Sequence, residues 1–236
     1  MEGQMPIMVI TGASSGVGRA AALRFCGEGY SVCALSRNQE SLLALEAEGG
    51  GAIHAFPVDV RNAEQVELTF SRIISEHGSI DVLVNSAGVT GREEETSPAV
   101  IDRVIDTNLK GAMYCTFAAL PSMRRAGRGS IFNIASIVGV DYMPEGSDGI
   151  YSASKHGLVA FSELAGKKYR KDGILVTTLC PGGIDTPLWN EQNPYRRDKR
   201  EMIRPEEVAD LISYILAQPR RTLFKNVIFV PVVEKW

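Results

Sequence analysis

The sequence lacks several features that would place the protein in a specialised class. Its four cysteines stand far apart and form no CxxC pair, so neither a zinc site nor a disulfide framework is indicated. No apolar run approaches the roughly 18 residues of a membrane helix. The first apolar run follows Glu2 rather than a basic segment, so no signal peptide is expected. We therefore predict reduced thiols, a cytoplasmic location and no membrane partner.

An excess of one charge is also missing. The chain has 25 lysines and arginines against 28 aspartates and glutamates, which gives a net charge of −3 and no basic surface for nucleic acid. The three histidines, His54, His77 and His156, fall on different predicted elements, so no metal site is predicted. With 236 residues, 44% of them hydrophobic, the chain suits one domain over residues 1–236. A role with small molecules fits these limits.

Short apolar runs alternate with segments of helical spacing along the whole chain. Seven strands are predicted at Ile7–Thr11, Ser31–Leu35, Ile53–Val58, Asp81–Asn85, Ser130–Ala135, Ile174–Cys180 and Asn226–Val230. Helices are predicted at 17–28, 39–48, 63–77, 99–126, 150–171 and 205–217. This alternation indicates an α/β fold with a seven-stranded parallel sheet flanked by helices on both faces. The irregular segment 185–204 is predicted to be a short substrate lid.

A glycine-rich turn follows the first predicted strand directly and opens a helix. Gly12 permits a tight turn, while Gly16 and Gly18 let the backbone approach a pyrophosphate at the helix N-terminus. The intervening residues Ser14, Ser15 and Val17 are further candidates for contact with the cofactor. A glycine-rich connection without a ligand is the alternative, and the position at the start of an alternating α/β chain argues against it.

Tyr151 and Lys155 stand four residues apart on one face of a predicted helix. An ammonium near a phenol favours the phenolate and is expected to lower the tyrosine pKa from its reference near 10, as proton transfer at neutral pH requires. Tyr151 is thus a candidate general acid and base. The alternative is an ordinary exposed pair on a helix surface.

Together these motifs resemble the short-chain dehydrogenase/reductase family. The glycine spacing TGxxxGxG, the YxxxK pair, Ser136 after the fifth strand and Asn108 in TNLKG occur in the family's order. The resemblance implies a doubly wound, Rossmann-type fold and hydride transfer between NADP(H) and a carbonyl or secondary alcohol. It implies that Ser136 polarises the carbonyl, that Lys155 holds the nicotinamide ribose and that Asn108 holds a water behind Lys155.

The residues at the end of the second strand would determine whether NAD or NADP binds. Ser36 stands where an acid would select NAD, and Arg37 offers a fork for the 2′-phosphate of NADP. A solvated surface arginine is the alternative for Arg37, and Arg19 is a second candidate. The family implies further cofactor contacts at Asp59, Val60, Asn85, Ser86, Ala87, Gly88, Pro181, Gly182, Ile184 and Thr186. Ser86 departs from the usual NNAG pattern.

The substrate is not identified by the sequence. Five residues would wall its pocket by position: Val138, Tyr142, Met143, Leu188 and Trp189. The basic run 195–200 could grip an acidic substrate, although a solvated lid helix is the preferred interpretation. The short lid is weakly similar to that of relatives acting on β-hydroxy acids.

Two other functions are less consistent with these residues. A silent NADP(H)-sensing regulator is disfavoured because Asn108, Ser136, Tyr151 and Lys155 are all present, and a lyase or epimerase would need a longer chain. The helices that carry Asn108 and Tyr151 have small residues on their later turns, and in this family such helices pair. A homodimer or homotetramer is therefore expected.

Overall fold

The computed structural model describes residues 5–91, 97–140, 148–190 and 198–233. Its strands form one parallel sheet in the order β3-β2-β1-β4-β5-β6-β7. The strands are β1 (Ile7–Thr11), β2 (Ser31–Ser36), β3 (Ile53–Pro57), β4 (Ile80–Asn85), β5 (Gly129–Ile134), β6 (Ile174–Pro181) and β7 (Asn226–Phe229). The predicted α/β fold with a seven-stranded parallel sheet is confirmed, and every strand boundary lies within one residue of its prediction.

Helices connect the strands. They are α1 (Gly16–Gly27), α2 (Gln39–Glu48), α3 (Ala63–His77), α4 (Pro98–Ile105), α5 (Ala112–Ala126), α6 (Gly149–Tyr169) and α7 (Pro205–Leu216). A π-helix, Asp106–Gly111, joins α4 to α5, and single 3-10 turns lie at Ile137–Gly139, Arg170–Asp172 and Lys199–Glu201. Among the described helices, none combines the length and apolar character needed to cross a membrane.

Two apolar layers cover the two faces of the sheet. Successive side chains of a strand point to opposite faces. Met8 and Ile10 of β1 accordingly lie in one layer with Ile212 of α7. Val9, between them, lies in the other layer with Phe70 of α3. Because both faces are covered, the central strands are largely apolar, with polar residues only near their ends, which explains the apolar runs in their sequences.

The carboxyl ends of all seven strands meet at one edge of the sheet, because the pairs are parallel. The strand order reverses direction beside β1, which pairs with β2 on one side and with β4 on the other. In doubly wound sheets a ligand crevice forms at such a reversal. The candidate site residues lie at this edge.

A histidine pair at the edge of the sheet, His54 on β3 and His77 at the end of α3, predicts an acid sensitivity of folding. The rings of His54 and His77 lie 4.3 Å apart between centroids. Burial, and then His77, lower the pKa of His54. The folded protein therefore binds a proton here less readily than the unfolded chain, so its stability is complete above the unfolded pKa and is lost as the pH falls. We expect the urea concentration at the unfolding midpoint to decrease as the pH is lowered from neutral to 5. The decrease should be smaller in His54→Gln, and an equal decrease in both proteins would contradict this origin.

Candidate active site

The glycine turn between β1 and α1 is shaped by close backbone contacts. Gly12 has a φ of +67°, and a Cβ there would lie 2.8 Å from the Cα of Ala87. A Cβ on Gly18 would lie 2.4 Å from the carbonyl oxygen of Gly12. Ser15 is the N-cap of α1, and its side chain makes no capping hydrogen bond. Ser15 thus leaves the first N–H groups of α1 available, which is the arrangement that binds anions at helix N-termini.

Thr11 fixes the segment after β4 beside this turn. Its Oγ1 accepts hydrogen bonds from the backbone N–H groups of Ser86 and Ala87, each at 3.1 Å. The backbone of Gly88 is exposed, and a Cβ there would lie 3.6 Å from both Lys155 Nζ and Asn108 Oδ1. The glycine turn and the polar residues of α6 therefore lie along the same edge of the sheet. We call this edge, where doubly wound sheets form a ligand crevice, the groove.

The end of β2 presents one exposed guanidinium. Ser36 donates its hydroxyl to Ser14 in the glycine turn at 2.9 Å, and Arg37 is exposed next to it. Arg19, the second candidate for a phosphate, pairs with Glu48.

At the end of β3, Asp59 is held by its neighbour Arg61. Both carboxylate oxygens of Asp59 accept from Arg61, at 2.6 to 3.0 Å. This hydrogen bonding lowers the pKa of Asp59, and the charge of Arg37 adds to the effect. The carboxylate is therefore ionised and already partnered.

Tyr151, Ser136 and Lys155 come together as the sequence predicts. Ser136 follows β5, and its hydroxyl lies close enough to the phenol of Tyr151 on α6 to affect the pKa of that phenol. Lys155 is 4% exposed and donates to the carbonyl oxygen of Ile134 at 2.8 Å. Its ammonium lies 5.4 Å from the centroid of the Tyr151 ring.

The expected direction of the Tyr151 pKa is wrong for this structure. Burial raises the pKa of Tyr151 to about 12, against the opposing effect of the Ser136 hydrogen bond. Burial also lowers the pKa of Lys155 to about 8. The spacing of the pair indicates an effect of charge, whereas burial has the larger effect on both groups. Tyr151 consequently carries its proton at neutral pH.

Asn108 lies in the π-helix and is almost fully buried. Its Oδ1 accepts from Val89 N at 2.8 Å, and its Nδ2 donates to Val89 O at 2.9 Å. Nδ2 also donates to Ser154 Oγ at 3.0 Å, and Ser154 donates to the carbonyl of Tyr151. Asn108 thus connects the loop after β4 to the helix that carries Tyr151 and Lys155.

Three residues predicted for the cofactor site have side chains that point into the protein. Val17 and Val60 are buried in the two apolar layers. Asn85 donates to Asn133 at 2.8 Å and to Thr116 at 3.2 Å below the sheet edge. These positions can meet a ligand only through their backbone atoms.

The segment after β6 folds back over the glycine turn. Gly182 N donates to Phe229 O at 2.8 Å, which continues the pairing of β6 with β7. Ile184 forms a parallel bridge with Ile203, so the two ends of the predicted lid are joined. A Cβ on Gly16 would lie 3.0 Å from Thr186, which places this segment directly beside the turn.

The described part of the predicted substrate region contains both half-buried apolar side chains and cations that already have partners. Val138, Leu188 and Trp189 are half-buried near the same edge. Two cations of the basic run already have partners, since Arg200 pairs with Asp198 and Lys199 donates to a backbone carbonyl. Tyr142, Met143 and residues 191–197 lie outside the described residues.

Two polar residues of the site are not among those predicted from the sequence. Asp148 caps α6 immediately before Tyr151, and Cys180 on β6 lies where its thiol and Lys155 influence each other's pKa. The Asp148-Gly149 pair before a helix was a usable cap signal. Cys180 carried no signal beyond its place at the end of a strand.

Comparison with known proteins supports the class that this fold and edge define, an oxidoreductase with a dinucleotide-binding sheet. The short chain dehydrogenase family matches residues 6–197. An uncharacterized oxidoreductase of Staphylococcus aureus (strain USA300) is 34% identical over 229 residues, which cover 96% of this chain and 97% of that protein. The protein belongs to the short-chain dehydrogenase family.

Solved structures of the same kind superpose over nearly the whole chain. One is an alcohol dehydrogenase from the archaeon Thermococcus sibiricus complexed with 5-hydroxy-NADP, with a TM-score of 0.84, 26% identity and 98% coverage of both chains. Another is the closed form of a serine dehydrogenase complexed with NADP+, with a TM-score of 0.87, 29% identity and coverage of 98% and 96%.

The groove of this chain fits a nicotinamide dinucleotide. The close contacts at Gly12 and Gly18 leave no room for side chains, and the first turn of α1 offers N–H groups to a pyrophosphate. Lys155 and Asn108 border the far end of the same groove. Within the described residues, no group of three or more histidine, cysteine, aspartate or glutamate side chains is arranged to hold a metal ion.

Proposed function

We propose that this protein transfers hydride between NADP(H) and a carbonyl or secondary alcohol, through Asn108, Ser136, Tyr151 and Lys155. The observation that carries the proposal is that the phenol of Tyr151 lies beside both Ser136 and the buried ammonium of Lys155. Two hydroxyls that converge on one point can hold a carbonyl oxygen as its charge develops. The bound cofactor supplies the hydride.

Tyr151 acts as the proton donor in reduction. Its pKa of about 12 keeps the phenol protonated at neutral pH, so a proton is available when the carbonyl oxygen gains negative charge. The phenolate left behind is stabilised by Lys155, whose pKa of about 8 lets it carry and return a proton near neutral pH. Asn108 fixes the surroundings of Lys155 and, in this proposal, a water that leads to solvent. In alcohol oxidation the Tyr151 phenolate takes the hydroxyl proton.

The cofactor would lie along the carboxyl edge of the sheet. The first turn of α1, with Ser14 and Ser15, would hold the pyrophosphate. Asp59 and the segment from Ser86 to Gly88 would border the adenosine half. Pro181, Gly182, Ile184 and Thr186 would border the nicotinamide, since Thr186 lies against the glycine turn.

NADP rather than NAD is the proposed cofactor because of Arg37. Its guanidinium is exposed beside the Ser36–Ser14 hydrogen bond, and Ser36 stands where an acid would repel a 2′-phosphate. Arg61 supports this choice, because it neutralises Asp59 nearby. The NADP named for the two related structures agrees with it.

Replacement of Arg37 tests this cofactor preference. A hydrogen bond to a charged group contributes roughly 1.5–3 kcal/mol, so Arg37→Ala is expected to lower the NADPH-over-NADH affinity ratio roughly tenfold to a hundredfold. Fluorescence titration with both nucleotides measures the ratio. Arg19→Ala is the matched control, because Glu48 already holds Arg19. A larger loss in Arg19→Ala than in Arg37→Ala would contradict the assignment.

The substrate is proposed to be small and partly apolar. Val138, Leu188 and Trp189 would form its walls, with Tyr142 and Met143 as further candidates. The pairing of Arg200 with Asp198 weakens the case for an acidic substrate held by the basic run. Because the chain is similar to a serine dehydrogenase, β-hydroxy acids are included among the substrates to be tested.

The function as a whole is tested by turnover. NADPH oxidation should be followed with acetophenone, benzaldehyde and acetoacetate, and NADP+ reduction with phenylethanol, benzyl alcohol and L-serine. Turnover with at least one pair supports the proposal. Tight nucleotide binding without turnover on any of them would favour a sensing protein, and no binding of either nucleotide would contradict the function.

A homo-oligomer of one-domain subunits is also proposed. Phe117 of α5 and Leu164 of α6 are 51% and 66% exposed, and Phe117 packs edge-on against Phe161. Large apolar side chains in such positions favour burial against a second copy. Light scattering that shows only monomer at micromolar concentration would contradict this. A cytoplasmic location stays a prediction from the sequence.

A further inference from the structure

Asp148 is the residue that starts the helix of Tyr151 and Lys155. Its Oδ1 accepts from the backbone N–H groups of Ile150 and Tyr151, each at 3.0 Å. The second of these donors belongs to Tyr151 itself. The carboxylate therefore holds the backbone from which the phenol extends, and an anion at a helix N-terminus is favourable.

The other carboxylate oxygen of Asp148 holds a different segment. Oδ2 accepts from Gly91 N at 2.5 Å, and a Cβ on Gly91 would lie 3.0 Å from that oxygen. Gly91 ends the described loop after β4, which Asn108 holds at Val89. One side chain thus fixes the start of α6 against the loop that borders the groove.

We propose that Asp148 is a positioning residue for the hydride-transfer reaction, which holds the Tyr151 phenol in register with the groove and biases it toward proton donation. This inference rests on the proposed function. Two properties of the carboxylate are involved. Its oxygens set the geometry, and its negative charge opposes formation of a second negative charge on Tyr151.

The charged surroundings of Tyr151 support the second property. The carboxylate of Asp148 raises the pKa of Tyr151, in addition to the larger effect of burial. Lys155, on the same helix, is the cation facing the ring, and the Cys180 thiol on β6 acts on Lys155. Ser136 contributes a neutral hydrogen bond from the turn after β5. Among the described residues, Asp148 is thus the acidic group that acts on Tyr151.

Two substitutions separate geometry from charge. Asp148→Asn keeps an oxygen that caps a helix but loses the charge, whereas Asp148→Ala loses both. Asn62→Ala removes the cap of α3 and reports the general effect of losing a cap. Asp210→Asn removes an exposed carboxylate from α7 and reports the general effect of one charge. The four variants and the unmodified protein are compared by thermal unfolding and by pH profiles with NADP+ and the best alcohol among phenylethanol, benzyl alcohol and L-serine.

We expect Asp148→Asn to retain most of its kcat and to reach half-maximal alcohol oxidation at a pH lower by roughly half a unit or more, because Tyr151 then ionises more easily. Asp148→Ala should lose about tenfold in kcat, beyond any loss in Asn62→Ala. An unshifted profile in Asp148→Asn, or the same shift in Asp210→Asn, would overturn the inference. So would an Asp148→Ala variant with unchanged kcat. In each of these cases the unmodified protein is active and the proposed function stands. If the unmodified protein were inactive, both the inference and the proposed function would be contradicted.

Discussion

Tyr151→Phe is expected to lower turnover by roughly 10²–10⁴-fold, the contribution typical of one positioned acid or base. Phenylalanine preserves the ring beside Lys155 and removes only the hydroxyl that meets Ser136. NADPH affinity and the unfolding midpoint should therefore change little. Steady-state NADPH oxidation, nucleotide titration and thermal unfolding measure the three quantities on the same preparation.

Tyr169→Phe is the matched control for this substitution. Tyr169 ends the same helix and is 8% exposed, at the opposite edge of the sheet from the groove. The identical chemical change there should leave turnover near that of the unmodified protein. If Tyr151→Phe kept more than half of the turnover, Tyr151 would not be the proton donor, and a joint loss of stability and binding would indicate a structural role instead.

Gly18→Ala is expected to disrupt the cofactor cradle. Its added methyl group would lie 2.4 Å from the carbonyl oxygen of Gly12, and backbone cannot move aside as a flexible side chain can. Overpacking of this kind typically costs about 1–3 kcal/mol of folding free energy. The shift should also move the first turn of α1 away from the pyrophosphate. We expect NADPH affinity to fall at least about tenfold.

Gly27→Ala provides the comparison within the same helix. A Cβ on Gly27 would meet nothing within 4 Å, so alanine there is expected to stabilise the protein by roughly 0.4–1 kcal/mol, through a less flexible unfolded chain. Chemical denaturation and fluorescence titration of both variants test the pair. Unchanged NADPH affinity in Gly18→Ala would argue that the pyrophosphate does not lie at this turn.

The strands could be predicted from the sequence because both faces of the sheet are covered. A strand such as Ile7–Thr11 is buried at every position, so its residues form a continuous apolar run bounded by polar or glycine residues. The proximity of Tyr151, Lys155 and Ser136 could also be predicted from the sequence, since parallel strands bring their carboxyl ends to one edge. These features depend on local sequence and on topology.

Other features depend on contacts that the sequence does not display. The pattern over 99–126 predicts one helix, whereas the structure has a π-helix at Asp106–Gly111, where Asn108 bonds Val89 far away in the chain. The spacing of Tyr151 and Lys155 shows their proximity but not their burial, which reverses the expected pKa shift of Tyr151. Asp148 lies in an irregular polar stretch of the sequence, and nothing in that stretch indicates its hydrogen bond with Gly91.

The π-helix also determines where this chain can change in length. Its hydrogen bonds span five residues rather than four, so each residue turns the chain by less than the roughly 100° of an α-helix. Loss of one residue from Asp106–Gly111 would therefore convert this turn to α-helix and keep Cys115, Ala119 and Met123 of α5, all fully buried, in the apolar layer they now complete. Such a shortened chain should retain its fold and lose the contacts of Asn108 with Val89.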